Sequence, residues 1–398
     1  MHDRNRKATD GMRGFCDRSV QNADSRFGKA YVRLLLRGIR IADDRKGFEM
    51  QKKNIGVIFG GCSPEYGVSL ESAHAVVSHM DKTKYQPVMI GISQAGDWFY
   101  YTGPTEKIEE DTWLNGRDCI PAAISPNRSD SGLFIFQGDG VRKIRLDAVF
   151  PVLHGKNGED GTVQGAAELA GIPLVGCGVL SSALCMDKDR AHRLVQAAGV
   201  DVAAAVVIDG AAEETELKRM TDKLRYPLFV KPVKAGSSYG ITKVSAPEDL
   251  FDAVVLALEY DDQVIIEENI CGFEVGCAVL GNRFLKVGEV DEIELSDGFF
   301  DFTEKYTLKT SAIHVPARIS RAKAEEVKET AQVIYRTLGC RGFARVDMFL
   351  AEDGRIVFNE VNTIPGFTAH SRYPNMMKAC GMSFEEIISS VIELAVSE

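Results

Sequence analysis

Two apolar-rich runs flank an Asp-Gly pair at residues 353–354, and this stretch constrains the fold of the chain more than any other. Asp-Gly between such runs is a strong hairpin signal, because both residues tolerate the positive φ of a tight turn. We predict a two-residue turn, which sets Asp347 opposite Glu360. The same register sets Arg345 opposite Asn362. Side chains two apart on a strand share one face, so these four project to the same side.

This polar face predicts a metal site. Directly opposed strand residues have Cβ atoms roughly 4.5–5.5 Å apart, so two carboxylates there repel each other unless a cation lies between them. Two carboxylates and an amide oxygen suit Mg²⁺, which completes its shell with water and phosphate. We therefore predict that Asp347, Glu360 and Asn362 bind Mg²⁺. The alternative is a solvated face on an edge hairpin, which is disfavoured because the other face is apolar. That face carries Val346, Met348 and Val361.

Composition limits the class of protein. At 398 residues the chain is long enough for two to three domains of about 100–200 residues each. No apolar run approaches the roughly 20 residues that span a bilayer, so we predict a cytoplasmic protein that does not bind membranes. The net charge of −10 argues against nucleic acid as a partner. Nine scattered cysteines without a CxxC pair indicate a reducing compartment.

Residues 1–49 differ from the rest of the chain. They hold nine Arg and three Lys against seven acids and show little periodicity, and Met50 lies just ahead of the first predicted strand. We predict a disordered leader that does not conform to the fold. It is either a translated upstream segment with a misassigned start, a basic arm or a targeting peptide. The last is disfavoured because seven acids are too many for a transit peptide.

The chain then opens as a doubly wound α/β unit. Residues 55–59 form a short apolar run that ends in two glycines, and a helical pattern begins near Val68. Strand, glycine turn and helix in this order are typical of such folds. Apolar runs at 85–92 and 146–150 predict further parallel strands. Residues 103–130 between them are polar and rich in turn residues.

Two glycine-rich segments follow predicted strands, where open α/β sheets bind ligands. The first is an acidic loop that begins at His154, which is either a ligand-binding or a structural loop histidine. The second spans residues 234–240 after Lys231. Its small residues let backbone N–H groups and two hydroxyls approach an anion. An ordinary Gly-Ser hairpin is the alternative, which Lys188 as a further cationic partner disfavours.

These features, with a strand that ends in the carboxylates Glu267 and Glu268, resemble an ATP-grasp ligase in their order. Five motifs narrow the resemblance to the D-alanine–D-alanine ligase family. They are Gly60-Gly61-x-Ser63-x-Glu65, His154-Gly-x-x-Gly-Glu-Asp-Gly, Lys231-Pro232 with Gly236-Ser237-Ser238, Glu304-Lys305-Tyr306 and Asn362-x-x-Pro365-Gly366. They span residues 53–396, and residues 1–49 have no counterpart. One departure is Gly67, where common D-alanine ligases carry a second glutamate.

The resemblance implies an α/β, three-domain ATP-grasp ligase with an N-terminal Rossmann-like domain. The implied domains are 50–173, 174–268 and 269–398, with ATP between the last two. The cofactors would be ATP and Mg²⁺, or Mn²⁺ in its place. The implied ATP-binding residues are Lys188, Lys231, Ser237, Ser238, Glu267, Glu268, Ile270, Glu274, Lys305, Asn359 and Glu360.

The resemblance also implies the reaction, in which a D-alanine carboxylate is phosphorylated by ATP and the amine of a second D-amino acid displaces phosphate. Glu65 would hold the first ammonium, in a hydrogen-bonded set with two hydroxyl side chains. Arg345 and the Gly366 N–H would stabilise the oxyanion, and Ser371 would hold the second carboxylate. The implied catalytic residues are Glu65, Ser237, Tyr306, Arg345, Gly366 and Ser371. A homodimer is expected.

The second substrate distinguishes members of the family. Lactate-using resistance ligases replace the Lys305-Tyr306 pair, so its presence favours a D-amino acid. Arg372, Phe300 and Asp291 resemble the D-alanine–D-serine ligases of G-type vancomycin resistance. D-Alanine–D-alanine ligase and a catalytically silent ATP-binding regulator are the alternatives. The implied substrate-binding residues are Glu65, His154, Asp291, Phe300, Ser371 and Arg372.

Overall fold

The computed structural model describes residues 52–236, 239–295 and 311–397. These residues form three β-sheets with flanking helices, so the predicted α/β class is confirmed. Among them, no helix has the length and apolar character that crossing a bilayer would require. The predictions for residues 1–49 and for five binding residues lie outside the described part of the chain. The five are Ser237, Ser238, Phe300, Lys305 and Tyr306.

The first sheet belongs to the N-terminal part of the chain. Its strands are β1 (Lys53–Gly60), β2 (Tyr85–Ile92), β3 (Trp98–Tyr101), β4 (Cys119–Ile124), β5 (Gly132–Gln137), β6 (Gly140–Arg145) and β7 (Ala148–Pro151). Its helices are α1 (Tyr66–His79), α2 (Glu106–Glu109) and α3 (Thr162–Ala170). The strand order is β6-β5-β4-β3-β2-β1-β7. β1 runs parallel to β2 and β7, as predicted, and a continuous buried run in β1 is typical of a parallel strand covered on both faces.

The second sheet is smaller and antiparallel, with the order β11-β10-β12-β9. Its strands are β9 (Ala205–Asp209), β10 (Leu228–Pro232), β11 (Thr242–Val244) and β12 (Gln263–Glu268). The helices of this region are α4 (Val179–Met186), α5 (Lys188–Ala197), α6 (Glu214–Thr221) and α7 (Leu250–Ala257). Asp187 caps α5 by accepting the Arg190 N–H at 2.9 Å, which fixes where the helix begins. Lys188 therefore lies in the first turn.

The third sheet has the order β16-β15-β13-β17-β18-β8, and β14 pairs with β13. Its strands are β8 (Asp201–Val202), β13 (Gly272–Leu280), β14 (Lys286–Val287), β15 (Asp291–Leu295), β16 (Ser311–His314), β17 (Phe343–Ala351) and β18 (Ile356–Asn362). Its helices are α8 (Arg321–Thr337), α9 (Arg372–Ala379) and α10 (Phe384–Val396). The predicted division into three domains is consistent with three sheets but stays a prediction.

The β17–β18 hairpin differs from the prediction at its turn. Ala351 donates its N–H to the Arg355 carbonyl at 2.9 Å, so the loop has three residues and not two. Gly354 takes a φ of 86°, which a residue without a Cβ adopts at little cost. The pairing shifts again between Asp347 and Met348, where Asn359 is the extra residue of a β-bulge. The two irregularities cancel, so the pairs nearer the site are those predicted.

An aromatic cluster joins the first sheet to the C-terminal part of the chain. Phe150 from β7 packs edge-on against Phe343 and Phe367, with ring centroids 5.9 and 5.8 Å apart. All three rings are buried, and Tyr373 stacks on Phe367. Rings in such edge-to-face arrangements contribute beyond the area they bury. The cluster holds the 363–368 loop against the carboxyl ends of the parallel strands.

Candidate active site

Asp347 and Glu360 lie opposite each other in the hairpin, and Arg345 lies opposite Asn362, as predicted. Only 1 % of Asp347 is exposed. Arg345 donates through Nε to Asp347 Oδ1 at 2.8 Å, and Asn362 donates through Nδ2 to Asp347 Oδ2 at 2.9 Å. Burial alone would lower the pKa of Arg345, but Asp347 beside it raises that pKa above its usual value. Arg345 thus compensates the buried carboxylate.

The donor set at this point fits Mg²⁺. Two carboxylates and an amide oxygen are hard ligands, and Asn362 keeps its Oδ1 as an acceptor when Nδ2 donates to Asp347. Within the described ranges, no group of three or more His, Cys, Asp or Glu side chains could hold a metal ion. A metal at the hairpin would therefore need the amide of Asn362 as its third protein ligand.

A cavity of about 410 Å³ lies between the second and third sheets. It brings together every ATP-binding residue that we predict within the described part of the chain. These are Lys188, Lys231, Glu267, Glu268, Ile270, Glu274, Asn359 and Glu360. The structure thus brings these residues together around one cavity, and their contacts with ATP stay predictions.

Ion pairs already engage several of these groups. Lys231 Nζ lies 2.6 Å from Glu267 Oε2, and Lys188 Nζ donates to the Ala235 carbonyl at 2.7 Å. Burial alone would raise the pKa of Glu267, but the charge of Lys231 beside it outweighs burial and lowers that pKa. Glu267 is therefore anionic at neutral pH, and the cavity presents both lysine and glutamate side chains to a ligand.

The sequence reasoning missed the apolar walls of this cavity. Flat or branched side chains line it from both sheets, and they are Phe229, Ile241, Phe273, Phe349 and Phe358. Such walls suit a planar base. One signal was present, because Phe229 precedes Lys231 by two residues on β10 and so shares its face.

A second cavity, of about 450 Å³, adjoins the first and shares Lys188, Gly236 and Glu360 with it. It collects the substrate-binding and catalytic residues that we predict, apart from Asp291 and those outside the described residues. These are Glu65, His154, Arg345, Gly366, Ser371 and Arg372. A group bound in one cavity can therefore face a group bound in the other across the shared residues.

Glu159 is a site residue to which the sequence analysis gave no role. Its carboxyl accepts the N–H of Gly155 at 3.0 Å and the N–H of Ile364 at 3.1 Å, so it ties together the loops on two sides of the second cavity. Burial and the neighbouring Glu65 raise the pKa of Glu159 to about 8. Burial also lowers the pKa of His154. Both shifts favour the uncharged forms of Glu159 and His154 in this pocket.

Arg372 is held by carboxylates. Its Nε and Nη2 donate to Asp291 at 2.7 and 2.8 Å, and its Nη1 donates to Glu274 at 2.6 Å. Burial alone would lower the pKa of Arg372, but Asp291, Asp347 and Glu274 raise it well above its usual value. A Cβ at Gly276 would overlap this ion pair, so the strand needs glycine there. Glu274 also lines the first cavity, so its predicted role in holding adenosine stays a prediction.

Two protein-family models match most of this chain. The model of the D-Ala–D-Ala ligase N-terminus matches residues 54–177, and that of the D-Ala–D-Ala ligase C-terminus matches residues 194–393. The chain belongs to the D-alanine–D-alanine ligase family. It is an ATP-dependent, carbon–nitrogen bond-forming ligase with an ATP-grasp fold, as the motifs predicted.

Individual members of the family share most of the ligase. The crystal structure of the VanG D-Ala:D-Ser ligase from Enterococcus faecalis is 56% identical, has a TM-score of 0.81 and covers 87% of this chain and 100% of that one. The vancomycin B-type resistance protein VanB of Enterococcus faecalis is 45% identical over 87% of this chain and 99% of its own. A D-alanine–D-alanine ligase of Caldicellulosiruptor bescii is 42% identical over 88% and 96%. The chain is thus similar both to a D-Ala:D-Ser ligase and to a D-alanine–D-alanine ligase.

Proposed function

We propose that this ligase joins D-alanine to D-serine for a peptidoglycan precursor of the kind linked to vancomycin resistance. The observation that carries the proposal is the buried ion pair of Asp291 with Arg372, of which Arg372 lines the second cavity. An apolar pocket discriminates poorly against an added hydroxyl, whereas a site with polar groups rejects the analogue that lacks the hydroxyl. The likeness to the VanG D-Ala:D-Ser ligase supports the same choice.

The chain's own groups fit the two steps of the reaction. In the first, an oxygen of the D-alanine carboxylate bonds to the γ-phosphorus of ATP, and ADP leaves. Lys188 and Lys231 would neutralise phosphate charge in the first cavity. In the second, the amine nitrogen of D-serine bonds to the carbonyl carbon, phosphate leaves with its oxygen, and the nitrogen loses a proton. Arg345 and the Gly366 N–H would stabilise the oxyanion that forms after the nitrogen has bonded to the carbonyl carbon and before phosphate leaves.

We also propose that Asp347, Glu360 and Asn362 hold Mg²⁺, with Mn²⁺ able to replace it. When bound there, the ion would neutralise the phosphate oxygens of the nucleotide. Glu360 lines both cavities, so it is the ligand best placed for this task. Glu65 would hold the ammonium of the first D-alanine, and Ser371 the carboxylate of the second substrate. A homodimer and a cytoplasmic location stay predictions.

The second candidate is D-alanine–D-alanine ligase, which the similarity to the enzyme of Caldicellulosiruptor bescii favours. The rate of ADP release with different second substrates distinguishes the two candidate functions. We expect slow release with D-alanine alone and a clear increase when D-serine is added, but no increase with D-lactate. Release that is already maximal with D-alanine alone would favour the second candidate. Release that D-lactate stimulates more than D-serine would contradict both.

A further inference from the structure

His192 occupies a position in α5 that none of the roles above explains. It lies four residues after Lys188, so the two side chains share one face of the helix. Its ring is buried, with 6 % of the residue exposed, and lines the first cavity. The edge of the ring packs against Phe358, with ring centroids 5.2 Å apart. A polar ring in this apolar setting needs partners for its two nitrogens.

One nitrogen holds the β-bulge of the hairpin. His192 Nε2 lies 2.8 Å from the carbonyl oxygen of Asn359. A carbonyl only accepts, so Nε2 carries the hydrogen and donates it. Asn359 is the extra residue of β18, and Glu360 follows it directly. Because strand side chains alternate, the bulge decides that Glu360, and not its neighbour, faces Asp347.

The other nitrogen faces the lysine–glutamate pair of the nucleotide cavity. His192 Nδ1 lies 3.5 Å from Glu267 Oε1, and neither atom has a hydrogen-bond partner among the described residues. The second oxygen of Glu267 accepts from Lys231 at 2.6 Å. The imidazole therefore stands between two strands from different sheets. A shift of Glu267 on nucleotide binding would reach the bulge through a single ring.

We propose that His192 is a positioning residue that couples the nucleotide cavity to the metal-binding strand. It holds the Asn359 bulge through Nε2 while its other nitrogen faces Glu267, and so aims Glu360 at Asp347. The inference rests on the proposed role of Glu360 in binding Mg²⁺. The ring touches no reacting atom, so its loss acts on binding of the Mg²⁺–nucleotide complex and not on D-alanine.

Two substitutions distinguish the packing of the His192 ring from its hydrogen bond to the Asn359 carbonyl. His192→Phe keeps the packing against Phe358 and removes both nitrogens, whereas His192→Gln keeps a donor that can reach the Asn359 carbonyl. Arg193→Gln is the matched control, because Arg193 is exposed on the same helix and pairs only with Asp189 in the described structure. The readouts are the rise in melting temperature caused by ADP with and without Mg²⁺, and the KM values for ATP and D-alanine.

We expect His192→Phe to lose most of the Mg²⁺-dependent part of the ADP stabilisation. Its KM for ATP should rise about tenfold, the effect of one lost hydrogen bond, while the KM for D-alanine stays unchanged. His192→Gln should recover most of both losses, and Arg193→Gln should match the wild type. If the Phe variant does not fold, His192→Leu repeats the test with the same expectations.

Equal losses in the Phe and Gln variants, or wild-type ADP stabilisation in the Phe variant, would overturn the proposal. Glu360→Gln separates this failure from failure of the metal site. If Glu360→Gln loses the Mg²⁺ dependence and His192→Phe keeps it, only the role of His192 is wrong. If Glu360→Gln also keeps it, the metal role of Glu360 fails, and the inference about His192 fails with it.

Discussion

Arg372 and Asp291 form a two-point ion pair beneath the second cavity, in which Asp291 is fully buried and Arg372 is 7 % exposed. Removal of one partner leaves the other as an uncompensated buried charge, which costs about 3–5 kcal/mol. We therefore expect Arg372→Leu to destabilise the protein strongly. The double variant Arg372→Leu with Asp291→Asn should recover part of that loss. Urea unfolding of the two single variants and of the double variant checks this, and simple addition of the single effects would contradict the coupling.

The same pair predicts selectivity for the second substrate. The double variant Arg372→Leu/Asp291→Asn removes the polar wall without leaving an unpaired Asp291. We expect it to lower kcat/KM for D-serine by about 1.5–3 kcal/mol, the worth of a hydrogen bond to a charged group. The kcat/KM for D-alanine as second substrate should hold. Steady-state ADP release with each amino acid measures both, and an equal fall for the two would show that the pair is structural only.

Glu360 faces Asp347, so Glu360→Gln should remove an anionic ligand of Mg²⁺ and abolish most ligase activity. Stability should hold or rise slightly, because the repulsion between the two acids is relieved. Glu352→Gln is the matched control, since Glu352 is an exposed acid in the loop of the same hairpin. Activity at saturating Mg²⁺ and a thermal melt are the measurements. Wild-type turnover in the Glu360 variant would refute the metal assignment.

Glu159 predicts a pH dependence of stability. Its pKa rises from 4.5 to about 8 in the folded protein, because the carboxyl is buried and lies near Glu65. Between these values the unfolded chain has released the proton and the folded protein retains it. The stabilisation is therefore complete below pH 4.5 and is lost as the pH rises towards 8, at about 1.4 kcal/mol per pH unit.

Glu159→Gln removes this titration and tests the prediction. The difference in unfolding free energy between wild type and variant should shift in favour of the variant from pH 5 to pH 8. Urea unfolding at four or five pH values over this range gives the slope. Glu168→Gln on the adjoining helix serves as an exposed control. A difference that does not change with pH would show that Glu159 titrates near its ordinary value.

Part of the β17–β18 hairpin could be predicted from the sequence. The Asp-Gly signal located the turn, and alternation located the faces, so the pairing of Asp347 with Glu360 was predictable. The turn length was wrong by one residue, and the bulge at Asn359 restored the register. Nothing local marks which residue will bulge. The ring of His192, which lies in helix α5, contacts the Asn359 carbonyl, and the two residues are 167 positions apart in the sequence.

Other site features escaped prediction for a similar reason. The second carboxyl contact of Glu159 is to Ile364, 205 residues away, so its motif suggested a loop and not a link between two loops. Residues 103–130 read as polar and turn-rich, yet they contain β4 and the buried ring of Trp113. Trp113 donates to the Tyr66 hydroxyl at 2.9 Å, a partner that the local pattern cannot reveal. The lysines and acids that line the two cavities were predicted because their motifs resemble those of the D-alanine–D-alanine ligase family.

We propose that this ligase prefers D-serine over D-alanine as its second substrate. The most direct test is a competition assay. Purified enzyme is incubated with ATP, Mg²⁺ and equal concentrations of D-alanine and D-serine, and the two dipeptide products are quantified by mass spectrometry at early times. We predict that D-Ala–D-Ser exceeds D-Ala–D-Ala. A product that is mainly D-Ala–D-Ala would contradict the claim and assign the enzyme to D-alanine–D-alanine ligation.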